Sequence, residues 1–384
     1  MTRHYRFFIE YAGDPEFSLI TRSSDGQLMF LVNKLSKMKQ KTVLGSRIAE
    51  VHNGSSLFTG DAGQGESNIR RWIIENDLLE AIIALPLNMF YNTGIATYVW
   101  VLTNRKTGNR QGKVQLIDAG AWFQPLRKNL GKKNCELSSE DIEHIVAAFL
   151  NFEETEQSKV FPNEAFGYWK IVVERPLRLR IELSPANLAR FRKACNEVKE
   201  GALADLAESL AADIGPGPHM DFNAFMSAIE KKADCLNIKL TTKRQKLLQT
   251  AIAVKDEAAL PVIRKIYKPG KAEPDTIYGR YPVTTNGKDT VVEYEPDSDL
   301  RDTEQIPLLE EGGIEAFFCR EVLPYAADAW IDGEATKTGY EISFTRYFYK
   351  PKPLRTLEEI RADIVALEKE TEGLLGEILG EEER

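Results

Sequence analysis

Cysteine and histidine are scarce in this chain and widely scattered. Four cysteines (Cys135, Cys195, Cys235, Cys319) and four histidines (His4, His52, His144, His219) occur in 384 residues. None form a Cys-x-x-Cys pair or a cluster. That spacing excludes a secreted disulfide framework and points to no metal site, so the thiols are expected to be free. Long apolar runs are missing as well: none approaches the roughly 20 residues of a membrane-spanning helix. Met1 to Tyr11 sets Arg3, Arg6 and Glu10 among aromatics, which is not the apolar core of a signal peptide. The expectation is a soluble, cytoplasmic protein that does not enter a membrane.

A basic excess is also lacking. The formal net charge is −8, a poor footprint for a chain that grips DNA alone. The charge is unevenly placed, however. Between Asn104 and Asn134 eight basic residues face one acidic residue, whereas from Arg355 to Arg384 ten acidic residues face four basic ones. The first stretch suits a polyanion and the second repels one.

What is present is an α/β pattern. Leu28, Leu31, Val32, Leu35 and Met38 recur at helical spacing and predict a helix over Ser23–Met38, with Ser24 or Asp25 as its cap. Arg47–Val51 reads as a strand running into a loop at His52 to Ser56. Ser67–Asn76 reads as a helix. Leu79–Leu85 is a nearly continuous apolar run, the mark of a strand covered on both faces. Ile95–Leu102 and Lys113–Ile117 are further strands. Ser138 or Ser139 caps a helix carrying Ile142, Ile145, Val146, Phe149 and Leu150. Tyr168–Leu183 alternates like a β-ribbon bent at Pro176. Asn187–Asp213 and Asp221–Lys255 read as two helices parted by Gly215-Pro216-Gly217-Pro218. Tyr267–Gly313 reads as loop-rich. Thr356–Leu379 is a regular amphipathic helix behind the capping box Thr356-x-x-Glu359.

Two loops invite a ligand. Gly60–Gly65 lies between a strand and a helix, where backbone amides can hold phosphate. No Lys-Ser/Thr follows it, and Asp61 and Glu66 would repel the anion, so a surface turn is the stronger reading. In the second loop, Phe90 and Tyr91 are followed by Asn92, Thr93 and Gly94, between two buried strands. An aromatic there can stack on an extruded base; taken alone, the loop reads more simply as a hydrophobic plug between strands. The basic stretch with Arg105, Lys106, Arg110, Arg127 and Lys128 suits DNA phosphates or a solvated face. Arg175, Arg178 and Arg180 read more simply as surface charge.

The run from SSDGQLMFLVNKLSKMK through GSRIAEVHNGSSLFTGDAGQGESNIRRWIIENDLLEAIIALPLNMFYNTGIATYVWVLTNRK to GKVQLIDA resembles the later half of the N6-adenine methyltransferase domain of type I modification subunits. The segments FGYWKIVVERPLRLRIE and GYEISFTRYFYK resemble that family's downstream region. The resemblance implies a Rossmann-like methyltransferase sheet. Arg47–Val51, Leu79–Leu85 and Ile95–Leu102 would be its strands five to seven, followed by a mostly helical α+β region and a long C-terminal helix. It divides the chain into a partial methyltransferase domain (1–135), a helical and β-ribbon region (136–265), a loop-rich mixed region (266–355) and an amphipathic docking helix (356–384).

The same resemblance implies a target-base pocket. Phe90 matches the aromatic that stacks on the flipped adenine, and the Asn53-Gly54 turn matches a loop beside it. The C-terminal helix, through Leu357, Ile360, Ile364, Leu367, Leu374 and Ile378, would dock on the specificity subunit. The specificity and restriction subunits and double-stranded DNA are the implied partners, and S-adenosylmethionine is the cofactor of the intact family.

The departure from the family is specific. Asn-Pro-Pro followed by Phe or Tyr occurs nowhere in the sequence, nor does Asp-x-Phe-x-Gly-x-Gly. The first four strands of the family's sheet are therefore expected to be absent, strand five to present an unpaired edge, and the chain alone to transfer no methyl group. No catalytic residue is assigned. The expected function is part of a type I DNA adenine-N6 methyltransferase subunit. The alternative is a non-catalytic DNA- and partner-binding module whose catalytic half is on another chain.

Overall fold

The computed structural model describes residues 7–285, 288–349 and 355–379, without the side chains of 285, 288, 370 and 372–379. Arg3, His4 and Arg6, and the side chains of Leu374 and Ile378, lie outside the described residues. The chain forms two compact units, Met1–Ile342 and Ser343–Arg384. Among the described residues no helix is long and apolar enough to cross a membrane.

Strands β1 (Phe8–Tyr11) and β2 (Asp14–Ser18) pair antiparallel. Helix α1 (Gln27–Leu35) buries Leu28, Leu31, Val32 and Leu35, as its spacing demands. It is shorter than expected and starts after Asp25, whose Oδ1 accepts the Gln27 amide at 3.2 Å. Next come β3 (Arg47–Asn53), α2 (Ser55–Phe58), α3 (Gly65–Glu75), β4 (Leu79–Ala84), β5 (Thr97–Thr103) and β6 (Lys113–Asp118). A hairpin of β7 (Gln124–Leu130) and β8 (Lys133–Glu136), helix α4 (Ser139–Asn151) and β9 (Ser158–Pro162) follow.

Five of these strands make one mixed sheet in the order β3-β5-β4-β6-β9. β5 runs antiparallel to both its neighbours, and β4 is parallel to β6. β3, β4 and β6 therefore all end on one side of the sheet. Every residue of β4 is buried, which explains its uninterrupted apolar run. β3 is two residues longer than expected at its C-terminal end because His52 and Asn53 still pair with Tyr98 and Thr97. It is an edge strand: among the described residues no strand pairs with its outer side. The elements there leave large apolar side chains in water: Val51 on β3 is 50% exposed, Phe30 on α1 68% and Phe58 on α2 59%.

α4 begins with a reciprocal cap. Ser138 Oγ accepts the Asp141 amide at 3.1 Å, and Asp141 Oδ2 accepts the Ser138 amide at 2.9 Å. Ile145 and Phe149 pack on Ala81, Ile83, Val101 and Ile117 of the sheet. Ile142, Val146 and Leu150, expected on the same face, are exposed. The five positions span an arc of about 140° at 3.6 residues per turn, and the sheet takes only one side of it.

The rest of the first unit departs further from the sequence reading. Tyr168–Leu183 is not one ribbon. β10 (Gly167–Glu174) is the middle strand of one sheet, and β11 (Leu179–Ile181) pairs with β12 (Ala253–Lys255) in another, with Pro176 between them. The two expected helices are four: α5 (Pro185–Glu197), α6 (Gly201–Ile214), α7 (Phe222–Cys235) and α8 (Thr242–Ile252). The extra breaks fall at Lys199 and Asn237, whose φ values of 59° and 53° no helix accommodates. Phe191, Leu203, Leu206, Phe225, Ile229 and Leu248 form the core of this bundle.

The segment expected to be loop-rich and mixed carries three strands that the sequence reading did not place, at Arg280–Thr285, Lys288–Tyr294 and Asp302–Pro307. β13 (Ile263–Ile266), β14 (Arg280–Thr285) and β15 (Lys288–Tyr294) form a sheet in the order β13-β15-β14. β16 (Asp302–Pro307) and β17 (Trp330–Tyr340) flank β10, with α9 (Gly313–Phe317) packed on β16.

The second unit holds α10 (Phe344–Phe348) and α11 (Leu357–Leu379). The expected capping box is formed, with Glu359 N donating to Thr356 Oγ1 at 3.2 Å and Thr356 N to Glu359 Oε2 at 2.9 Å.

Candidate functional site

The ends of β3, β4 and β6 and the start of β5 bring the ligand-suited loops together. Asn53 lies directly opposite Thr97, and Leu85 N donates to Thr97 O at 2.9 Å. The Asn53-Gly54 turn and the loop carrying Phe90 thus leave neighbouring strands at the same end. Gly54 is held close to Tyr98: a Cβ there would sit 3.4 Å from the Tyr98 ring.

Asn53 is fixed by a residue that no local pattern singled out. Gln27, at the start of α1, donates from Nε2 to Asn53 Oδ1 at 2.8 Å, and its Oε1 accepts the Asn53 amide at 3.1 Å. The same Nε2 reaches Ser55 Oγ at 2.8 Å and Asp25 Oδ2 at 2.9 Å. Ser55 and Gln27 hydrogen bonds hold the Asp25 carboxyl below its ordinary value, against the opposing pull of its partial burial. The turn is therefore a preorganised polar surface, not a loose loop.

His52 stands behind it. Its Nδ1 is 3.2 Å from Gln27 Oε1, and its ring meets Trp100 edge-on at 5.6 Å between centroids. Burial lowers the imidazole pKa, with Glu50 opposing the shift. Nε2 of His52 and Nε1 of Trp100 are buried without a hydrogen-bond partner.

Phe90 and Tyr91 are 38% and 64% exposed at the tip of the second loop. Asn88 and Asn92 turn the chain there with φ of 57° and 58°, a region asparagine tolerates better than most residues. Gly94 lies close to Asn88, whose Oδ1 would stand 2.7 Å from a Cβ there and would have to move. The β7–β8 hairpin braces the loop: Asn134 N donates to Asn88 O and Cys135 Sγ to Leu87 O, each at 3.1 Å. Lys133 Nζ lies 5.7 Å from the centre of the Tyr91 ring. The hairpin also exposes Arg127 and Lys128. Loop and hairpin thus form one surface with exposed aromatics beside cations.

The basic stretch divides in two. Arg127 and Lys128 are exposed, and Arg105 reaches Gln40 O at 2.8 Å from the surface. Lys106 and Arg110, expected at the DNA backbone, are engaged within the fold instead of being free at the surface. The Lys106 side chain is 2% exposed and donates to Asp77 Oδ1 at 2.6 Å and Lys113 O at 2.7 Å. Arg110 is buried over the rings of Phe149 and Phe152, and its Nε lies 3.7 Å from the buried carboxylate of Glu80. Each already has a carboxylate partner that a phosphate would have to displace. Arg175 and Arg178 both bind Asp328, and Arg180 faces Asp256, consistent with structural charge.

The glycine loop is likewise filled from within. A Cβ on Gly65 would stand 1.7 Å from Ile20 O, Asp61 is paired with Lys170, and Gly60 O accepts Arg70 Nη2 at 3.3 Å. Its dipoles and charges are spent on the fold. The seam of α11 is solvent-exposed where its side chains are described: Leu357 85%, Ile360 40%, Ile364 61% and Leu367 67%.

Residues 11–166, which hold the whole five-stranded sheet, match the N-6 DNA Methylase family model. This part of the chain is similar to type I modification subunits. It is 35% identical over 112 residues to the type I restriction enzyme MjaVII methylase subunit of Methanocaldococcus jannaschii, covering 29% of this chain and 18% of that one. With the MjaVIII methylase subunit of the same organism it shares 31% identity over 136 residues, 35% of this chain and 21% of the relative. The chain thus spans about a fifth of the length of these curated type I relatives. Among solved structures, the type I methyltransferase subunit from Streptococcus thermophilus aligns at 26% identity and TM-score 0.33, over 38% of this chain and 28% of that one.

Proposed function

We propose that this chain supplies the target-base side of a type I DNA adenine-N6 methyltransferase, together with surfaces for subunit assembly. The observation that carries the reading is the convergence at one sheet end of the Asn53-Gly54 turn and the Phe90 loop, inside the segment matching the N-6 methylases. In this reading β3, β4 and β5 correspond to strands five, six and seven of the methyltransferase sheet. Phe90 stacks on an extruded adenine, Asn53 and Gly54 border the base, and Arg105, Arg127 and Lys128 meet the backbone of double-stranded DNA. The first 135 residues are its methyltransferase part, and α11 docks on the specificity subunit, with the restriction subunit joining the same assembly.

S-adenosylmethionine is the donor that the family uses. The residues present do not fit it. The glycine loop, the one candidate cradle in the sequence, is closed by Ile20, Arg70 and Lys170, and its acidic Asp61 is already neutralised. No step through the donor is therefore derived for this chain. A second reading follows from the free edge of β3 and the exposed Val51, Phe30 and Phe58 around it: the donor-binding half is a separate polypeptide segment that completes the sheet there.

Calorimetric titration of S-adenosylmethionine into this chain tests the division of labour. No saturable heat is expected. Saturable binding would show that a donor site is built from these residues and would overturn the reading.

A further inference from the structure

A cavity of about 490 Å³ opens between β10, β15 and β17, within the first unit and outside the sheet discussed above. Its walls are aromatic: Tyr278, Tyr294 and Trp330 line it. Tyr281 locks two of them in place, at 4.7 Å from Tyr294 and edge-on to Trp330 at 6.2 Å between ring centroids. Gly279, at φ 75°, is needed for this arrangement, because a Cβ would stand 2.7 Å from Trp330 Cδ1.

The charges are of unequal number. Two arginines line the cavity, and each has its own carboxylate: Arg264 Nη2 lies 2.9 Å from Glu293 Oε2, and Arg280 Nη2 lies 2.9 Å from Asp275 Oδ2. Three further carboxylates remain. Asp332 and Glu334 make no ion pair among the described residues. Glu174, whose side chain is 4% exposed, gives Oε1 to Arg301 and keeps Oε2 buried without a partner. Register places Glu174 opposite Trp330 and Val172 opposite Asp332, so the acids and the indole belong to adjacent strands.

A buried carboxylate oxygen with no donor is costly, and a cavity of surplus negative charge repels phosphate and carboxylate ligands. Aromatic faces beside carboxylates favour cations, and a planar guanidinium satisfies both: it stacks on a ring and donates to an oxygen in its own plane. The cavity has room for one side chain or a small amine rather than a protein segment. We propose that this cavity binds a guanidinium-bearing ligand, against Tyr294 and Trp330, with Asp332 and Glu334 as its acceptors and the buried Glu174 carboxylate behind them. The ligand is either a free small guanidine or an arginine side chain presented by a polypeptide.

The test is calorimetric titration of the full chain at low ionic strength with two probes: agmatine, and a Gly-Arg-Gly peptide blocked at both ends. Saturable binding of at least one probe, weakened by added salt, is expected. Asp332→Asn and Glu174→Gln should each weaken it by about tenfold, the equivalent of roughly 1.4 kcal/mol. Tighter binding of the peptide assigns the ligand to a polypeptide, and binding of agmatine alone assigns it to a free guanidine. Asp332 is half-exposed, so its variant keeps the test decisive if Glu174→Gln fails to fold. Absence of saturable binding by both probes would overturn the proposal, as would binding indifferent to Asp332→Asn.

Discussion

Lys133 and Tyr91 face each other across two loops, with Lys133 Nζ 5.7 Å from the centre of the Tyr91 ring. The contact joins the aromatic loop of the sheet end to the basic β7–β8 hairpin. A base extruded toward Phe90 would therefore find its phosphates beside cations already placed. The hydrogen bonds from Asn134 and Cys135 to the carbonyls of Asn88 and Leu87 make that placement rigid.

The basic residues should separate into two classes under mutation. Arg127→Ala and Lys128→Ala are expected to weaken binding of a DNA duplex uniformly across sequences. Each should also lower the salt slope by about one, the share of a single neutralised phosphate. Lys106→Ala should leave the salt slope unchanged and lower thermal stability, because it removes the cation paired with Asp77 and the donor to Lys113 O. Titrations over a salt series, paired with melting curves, check both. An equal drop in salt slope for Lys106 and Lys128 would contradict the assignment.

The Asn53 turn should become acid-sensitive through His52. Burial lowers its pKa below the ordinary 6.5, so the unfolded chain binds the proton first as pH falls. The stability that neutral His52 contributes is complete above 6.5 and is lost progressively below it. Urea midpoints measured on either side of pH 6.5 should fall on acidification, and His52→Gln should flatten that part of the profile. Identical slopes in the two proteins would refute the role.

Arg70 should be among the most sensitive stability positions. It is fully buried and donates to three carbonyls, those of Tyr340, Ser56 and Gly60, at 2.6, 3.1 and 3.3 Å. Burial lowers its pKa to about 10, with Tyr168, Glu341 and Glu66 opposing the shift; hydrogen bonds hold the charge, and Arg70 makes no ion pair among the described residues. Arg70→Ala is expected to cost about 3 kcal/mol or more, since three buried acceptors lose a charged donor. Denaturant unfolding measures it, and a loss under about 1 kcal/mol would mean that water replaces the guanidinium.

For α11, Ile364→Asp with Leu367→Asp should leave thermal stability unchanged, because both side chains are mostly exposed. Co-purification with the specificity subunit should be lost. Retention of the complex would leave the helix without a docking role.

Legibility in the sequence followed the range of the interactions. Leu79–Ala84 and the caps at Ser138 and Thr356 were readable because local pattern alone determines them. The break at Lys199 was hidden because lysine does not signal a left-handed turn, and the one at Asn237 because a lone asparagine signals one less strongly than glycine. The strands between Tyr267 and Gly313 were hidden by polar, half-exposed sequences that stack only once paired. At the candidate site, Phe90 and the Asn53-Gly54 turn were visible through family resemblance. Gln27, which fixes that turn, was not, because its partner is 26 residues away. The burial of Arg110 was hidden for the same reason: Glu80 and the Phe149 and Phe152 rings reach it only through the fold.

The most direct test of the target-base assignment is the fluorescence of 2-aminopurine placed opposite an abasic site in a duplex, where extrusion is easiest. Binding of the wild-type chain should change the emission as the base leaves the stack and meets Phe90. Phe90→Ala should lose about 1–3 kcal/mol of affinity for this duplex while binding a fully paired duplex unchanged. Equal affinity of both proteins for both duplexes, with no change in emission, would contradict the assignment of this sheet end to the target base.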